Sequence, residues 1–249
     1  MSVEPFPRAG RNLTGGEYMH LPQESFARIQ PASELWKEIF DLSTPRNYKK
    51  GDIVIRDGKL VSSIYYILEG EVRMDMVNEN GTDKIYWYFG PDTLLGEPAL
   101  FSQRPSILYG VCTKPTKALV FSRDVIFNQI IPHHRELVLT LFHEMAVKMR
   151  LLVHQIAMLG MDNMEARVCR YLRTTLSRDA SGGLYSVPGI TQRELAKLLG
   201  MHRVTCGRVL KELKEKGIIG AYSVTRVRIR DEAALYGVES AAKGAKNKG

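Results

Sequence analysis

Cysteine is scarce in this 249-residue sequence: Cys112, Cys169 and Cys206 are the three present, and they lie far apart. An odd, scattered set without a Cys-x-x-Cys pair argues against a disulfide framework and against a thiolate zinc or iron–sulfur site. It fits a reducing cytosol. Long apolar runs are lacking too. No stretch reaches membrane-spanning length, and the first residues do not follow the basic-then-apolar order of a secretory leader. A cytoplasmic protein without a membrane partner is expected. Nor is there a nucleophile-and-base constellation, a P-loop or a metalloprotease motif. The expectation is a protein that is not an enzyme, with no catalytic residues and no metal site.

What is present is ordinary globular material, 44% hydrophobic and 25% charged, in a length that suits two domains. The net charge of +8 is unevenly placed. Residues 163–249 hold 17 Lys/Arg against 8 Asp/Glu, whereas residues 1–162 hold 18 against 19. A neutral body joined to a basic C-terminal third points to a polyanion partner, nucleic acid first. Charge alone leaves open a merely soluble basic domain.

Residues 1–20, rich in Gly, Pro and polar side chains, read as a loose arm. The spacing of Phe26, Ile29, Leu35, Ile39 and Phe40 predicts short helices over residues 25–42. From residue 46 to 122 the texture becomes β-type. Strands are expected at residues 52–56, 63–68, 72–77, 84–89 and 119–121, divided by turn residues such as Glu69-Gly70 and Asn80-Gly81. Many short strands with glycine turns indicate an antiparallel sandwich or barrel, and Asn80-Gly81 suits a type I′ hairpin. After Pro132 the pattern is helical to about Gly160. Phe142, Met145, Met149, Leu152, Ile156 and Leu159 follow at alternating steps of three and four, the 3.5-residue period of a coiled-coil seam. Glu144, Lys148 and Arg150 lie on the opposite side, which favours a dimer seam over a helix packed only on its own barrel. A further helix is expected over residues 164–176, then a loop at residues 179–188.

The strongest local signal lies between Ile190 and Gly217. Thr191-Gln-Arg-Glu194 is a capping box, in which the threonine hydroxyl and the glutamate carboxylate each satisfy an orphan amide. Leu195, Leu198 and Leu199 give a short apolar face, and Gly200 suits a left-handed C-terminal position. A second helix starts near His202 or Arg203 and runs to about Lys216, with Val204, Val209, Leu210 and Leu213 as its apolar stripe. Two short helices joined by a glycine turn make a helix-turn-helix, whose second helix fits the major groove. Arg203, Thr205 and Arg208 are suited to guanine edges and phosphates. Thr191, Gln192, His202, Val204 and Lys211 complete the candidate contact set. Ile218-Ile219 and residues 227–230 flank a turn that reads as a wing bearing Arg226 and Arg228. An ordinary helical hairpin with solvated arginines is the plainer alternative.

These residues resemble the cyclic-AMP receptor protein and fumarate–nitrate regulator superfamily over residues 48–231. The likeness rests on Gly51-Asp, Ile67-Leu-Glu-Gly-Glu-Val72, Gly96-Glu-Pro-Ala-Leu-Phe101, the long helix and residues 190–213, in that order and spacing. The resemblance implies an α+β chain with an N-terminal antiparallel β-roll of the cyclic-nucleotide-binding, jelly-roll type. A long dimerisation helix and a C-terminal winged helix-turn-helix that binds palindromic promoter DNA follow. It also implies a Glu for a ribose, matched by Glu97 after Gly96, and a nearby Arg–Ser pair for a cyclic phosphate. Here the loop is short and reads Gln103-Arg-Pro-Ser106, so Arg104 and Ser106 are not adjacent. The helix is apolar at Leu151 and Leu152, where cyclic-nucleotide sensors place small hydroxyl residues. Both departures argue against cyclic AMP, since a cyclic phosphate needs concentrated donors in a dry pocket. The run from Gly81 to Gly90 and the Phe142…Lys148 spacing look similar to effector-sensing regulators of organohalide respiration. By that resemblance Trp87, Tyr88 and Lys148 line a pocket for a small aromatic or anionic molecule. Trp87 and Tyr88 as barrel core, with Lys148 on the surface, is the plainer alternative. The N-terminal cysteine cluster of oxygen-sensing relatives is absent. His133, His134, His143 and His154 leave haem open. Many relatives have Glu where this chain has Val204, which predicts half-sites richer in A·T.

The expected layout is an arm at residues 1–24, a sensing β-roll at 25–132 and a dimerisation helix at 133–161. A winged helix-turn-helix at 162–236 and a basic, disordered tail at 237–249 complete it. The expected function is an effector-responsive, homodimeric regulator on double-stranded promoter DNA, with RNA polymerase as a further partner if it activates. No cofactor is assigned beyond a small-molecule effector of unknown identity. The alternative function is a cyclic-nucleotide-binding module that controls a partner protein.

Overall fold

The computed structural model describes residues 26–77 and 83–244. The expected arm at residues 1–24 and the Asn80-Gly81 turn lie outside the described residues, as do residues 245–249 of the tail. The described chain forms two compact units: residues 27–151, and residues 152–244 together with Phe26.

The first unit is built on eight strands: β1 (Thr44–Tyr48), β2 (Ile53–Ile55), β3 (Ser63–Glu69), β4 (Val72–Val77), β5 (Asp83–Phe89), β6 (Leu94–Leu95), β7 (Tyr109–Cys112) and β8 (Thr116–Ser122). They form two antiparallel four-stranded sheets, ordered β1-β8-β3-β6 and β2-β7-β4-β5. This is the two-sheet order of a jelly roll. Strand β3 shows why its sequence reads as a run of apolar residues rather than an alternation. Ile64 and Tyr66 point to one buried layer, while Ile67 on the other face is buried as well. A strand covered on both faces loses its polar period.

The outer layer on that sheet is helical. It contains a 3₁₀ segment (Glu34–Leu42), α1 (Glu97–Ser102), α2 (Arg123–Val125), a π turn (Ile126–Ile130), α3 (Ile131–His133) and the start of α4 (Arg135–Met161). Trp36, Ile39, Ile126, Ile130, Leu137 and Leu141 pack there against Ile64, Tyr66 and Phe121. Trp36 meets Phe121 edge-on with centroids 5.3 Å apart and donates from Nε1 to Thr140 Oγ1 at 3.2 Å. Only the second half of the expected helical stretch 25–42 is helical. Arg28 instead bridges Tyr88 in parallel, with the Ile29 amide donating to Tyr88 O and the Tyr88 amide to Ala27 O, so this segment is held by strand-type hydrogen bonds.

The second unit holds α5 (Met164–Arg173), β9 (Leu176–Arg178), β10 (Leu184–Ser186), α6 (Gln192–Leu198), α7 (Arg203–Glu215), β11 (Val227–Arg228) and α8 (Glu232–Gly244). Its small sheet has the order β11-β10-β9. Part of the expected loop 179–188 is therefore the second arm of a hairpin. Asp179 closes its turn by accepting from the Ser181 and Gly183 amides at 3.2 and 2.8 Å. Helix α8 continues to Gly244, so residues 237–244, expected in a disordered tail, are helical.

Candidate functional site

The capped helix pair forms as its local chemistry requires. Thr191 Oγ1 accepts from the Glu194 amide at 3.2 Å, and the Glu194 carboxylate accepts from the Thr191 amide at 2.9 Å. Gly200 takes φ +62°, which only glycine adopts cheaply, and Met201 N donates back to Ala196 O at 3.0 Å. The turn thus ends α6 and aims α7, whose N-cap is His202: its Nδ1 accepts from the Val204 amide at 3.3 Å. Thr191→Ala is expected to cost about 1 kcal/mol, read by chemical denaturation of the second unit.

Helix α7 buries Cys206, Val209, Leu210 and Leu213, and α6 buries Leu195 and Leu198. Burial pushes the Cys206 thiol up to about 11, so it serves as packing and not as a reactive group. Val204, expected in the apolar stripe, is 72% exposed. At 100° per residue it falls on the solvent arc with Arg203, Arg208 and Lys211, all exposed, while Thr205 is half-buried. Thr191 and Gln192 are also exposed at the start of α6. Arg208 and Lys211 reach Glu212 and Glu215 only loosely, at 3.8 and 3.7 Å. Such exposed pairs contribute little and release their cations easily.

The wing is a short antiparallel pairing of Ile219 with Ile229, with Gly220 N donating to Arg228 O at 2.7 Å. Arg228 is exposed. Arg226 is held: it contacts the Asp179 carboxylate at 2.5 Å and lies over the Tyr185 ring at 4.1 Å.

A different cluster sits inside the β-roll. Gly96, at φ +103°, brings its backbone so near Ser63 O that a Cβ would stand 2.7 Å from it, and this places Glu97 at the first turn of α1. Glu97 is fully buried and ion-paired with Lys148 of α4, itself 4% exposed. Lys148 Nζ also donates to Leu94 O at 2.9 Å and lies 5.2 Å from the centre of the Phe89 ring. Trp87 meets Phe89 edge-on at 6.4 Å. Trp87 Nε1 and Glu97 Oε2 are buried without a hydrogen-bond partner in the described residues. One donor and one acceptor are thus unspent in this cluster, a costly state unless something else satisfies them.

Several expected site residues lie apart from this cluster. Tyr88 points to the other face of β5, under Arg28 at 5.2 Å, because adjacent strand residues alternate. Arg104 is exposed. The Ser106 hydroxyl is taken up in its own loop, donating to Leu108 O at 2.7 Å. Of the histidines, His133, His143 and His154 are exposed and His134 is half-buried.

Helix α4 carries two stripes. Leu137, Leu141, Glu144, Lys148, Leu151, Gln155 and Met158, at steps of four and three, are all buried. Glu144 and Lys148, placed by the sequence on the side opposite the seam, are interior residues, so the surface alternative for Lys148 does not hold. Sequence reasoning missed Glu144 and Phe89; the signal for Glu144 was its place in this second seven-residue repeat. On the other stripe Phe142, Met149 and Ile156 are 64%, 67% and 69% exposed. Met145, Leu152 and Leu159 on the same stripe are half-buried.

A family model described as a cyclic nucleotide-binding domain matches residues 45–133, and one described as a Crp-like helix-turn-helix domain matches residues 166–238. The chain is 23% identical over 184 residues to the cAMP-activated global transcriptional regulator CRP of Haemophilus influenzae, covering 72% of this chain and 81% of that one. It is 24% identical over 178 residues to the CRP-like cAMP-activated global transcriptional regulator of Mycobacterium tuberculosis, covering 70% and 79%. Among solved structures, CprK complexed with OCPA superposes with a TM-score of 0.69 at 20% identity, over 84% of this chain and 97% of that one. A CooA mutant from Carboxydothermus hydrogenoformans gives 0.73 at 15% identity, over 86% and 100%. At such identities these two likenesses concern the fold.

Proposed function

Because the chain belongs to the cyclic-AMP receptor protein and fumarate–nitrate regulator superfamily of DNA-binding transcription regulators, we propose that it acts as an effector-gated homodimer on an inverted-repeat promoter site. The observation that carries this reading is the solvent arc of α7: Arg203, Val204, Arg208 and Lys211 project from a helix whose other side is fully packed. Two such helices, paired through the exposed stripe of α4, meet half-sites about 34 Å apart. RNA polymerase is the further partner if the bound dimer activates.

The effector is a small anionic aromatic molecule rather than cyclic AMP. A carboxylate or phenolate competes with Glu97 for the Lys148 ammonium, and its ring lies against Trp87 and Phe89. The cyclic-phosphate set lacks support, since Arg104 is exposed and the Ser106 hydroxyl is committed to its loop. A ligand that takes Lys148 from Glu97 favours one packing of the inner stripe of α4 over another, as a two-state switch requires.

The test is fluorescence anisotropy on DNA obtained by binding-site selection and on random duplex, at two salt concentrations. Arg203→Ala and Arg208→Ala are each expected to lose about 1–3 kcal/mol on selected DNA and little on random DNA. Equal losses on both would make them phosphate contacts. Absence of any preference for selected DNA in the parent protein, with or without aromatic acids, would overturn the reading.

A further inference from the structure

Apart from the buried Glu97–Lys148 pair, the first unit has a concavity between the extended segment 31–33 and α4. It measures about 250 Å³ and is lined by Pro31, Ala32, Ser33, Leu139, Thr140 and Glu144, with His143 at its rim. Glu144 is 6% exposed, and no hydrogen bond to its carboxyl contributes to its titration. Its charged neighbours are Lys148 one turn along the same helix and Glu97 on α1. Segment 31–33 brings no ionisable group.

The charges do not balance. Two buried carboxyls share one ammonium, and Lys148 directs two of its three donors to Glu97 and Leu94 O, with no hydrogen bond to Glu144. Burial pushes the Glu144 carboxyl up to about 7, against the pull of Lys148 and with the push of Glu97. Near pH 7 and above, an ionised carboxylate therefore faces the concavity and lacks a cation of its own. Thr140 adds little, since its hydroxyl accepts from Trp36 and donates to Leu137 O at 2.8 Å. Ser33 Oγ caps the Leu35 amide at 3.3 Å and keeps a second lone pair. The polar lining is thus rich in acceptors, and Pro31, Ala32 and Leu139 make an aliphatic wall.

We propose that this concavity binds a small primary alkylammonium ion, its headgroup on the Glu144 carboxylate and Ser33 Oγ and its chain against Pro31, Ala32 and Leu139. The site stands apart from the DNA-binding reading and survives its failure. The bound ammonium supplies the cation that the buried pair of carboxyls lacks.

The probe is n-butylammonium chloride, titrated at pH 8 into the full chain and followed by amide NMR shifts. Saturable shifts are expected at Ser33, Leu139, Thr140 and His143. n-Pentanol, similar in size and neutral, is expected to bind at least about tenfold more weakly, as is the ammonium to Glu144→Gln. Glutamine resembles the protonated acid that the site already accepts near pH 7, so this variant should fold. Leu139→Trp, which fills the concavity, gives an independent check and is expected to abolish the shifts. Equal binding of pentanol, shifts confined to other residues, or no saturable binding would each overturn the proposal.

Discussion

Lys148→Met is expected to destabilise the first unit by about 3–5 kcal/mol, the cost of stranding a buried carboxylate after its partner is removed. Glu97 is fully buried and already has one oxygen without a hydrogen-bond partner in the described residues. Taking away the ammonium leaves both of its oxygens, and the Glu144 carboxyl, without a cation in a low-dielectric interior. The loss is too large for packing, since methionine keeps most of the lysine stem against Phe89. The double variant Lys148→Met with Glu97→Gln is expected to recover most of the deficit, because a neutral pair of similar shape strands no charge. Urea denaturation of the three proteins at one pH decides the matter. A deficit below about 1 kcal/mol in the single variant would mean that water reaches Glu97 and that the pair is no lock. The double variant, folded yet deaf to aromatic acids in the DNA-binding assay, would tie the same pair to sensing.

The second large effect concerns the outer stripe of α4. Ile156→Glu changes a side chain that is 69% exposed, so each chain should fold unaltered. If the stripe is the pairing surface, the charge repeats across the two-fold axis and repels itself where two apolar side chains met. Sedimentation should then report single chains at concentrations where the parent is paired. Affinity for the inverted repeat should fall about 10²–10⁴-fold, the avidity lost when two half-site contacts are no longer joined. Binding to an isolated half-site should change little. A variant that stays paired and binds the full site as before would place the pairing surface elsewhere.

How much of this was legible beforehand follows from the range of the interactions. The capping box at Thr191 and Glu194, the turn at Gly200 and the N-terminus of α7 depend on residues within a few positions of one another, and the sequence carries them openly. The strands were legible at β2 to β5 and at the end of β8, where Ile, Val, Tyr and Trp cluster; β1, β6 and β7 were not, and β6 is a two-residue ladder defined by its partner. The period of α4 gave the exposed stripe but hid the buried one. That second repeat includes Glu144, Lys148 and Gln155, and polarity disguised a face whose burial depends on partners far along the chain, Glu97 among them. Tyr88 was misplaced for a simpler reason. Grouping it with Trp87 ignored the alternation of a strand, which is regular here: Trp87 pairs with Met74 and Tyr88 with Arg73. Val204 was read twice, as part of the apolar stripe because it is apolar and as a DNA-contact candidate by its position; at 72% exposure it lies on the arc of the arginines and not in the packing.

The clasp between Arg226 and Asp179 has a consequence for how the wing meets a duplex. The guanidinium is stacked on Tyr185 and fixed to a carboxylate that the hairpin turn itself holds in place. An arginine so tethered loses little freedom on docking, but it arrives beside a negative charge that faces the same phosphates. Arg226 is therefore stiff and electrically muted, so under the proposed mode of binding the choice of site falls to the two copies of α7 rather than to this arginine.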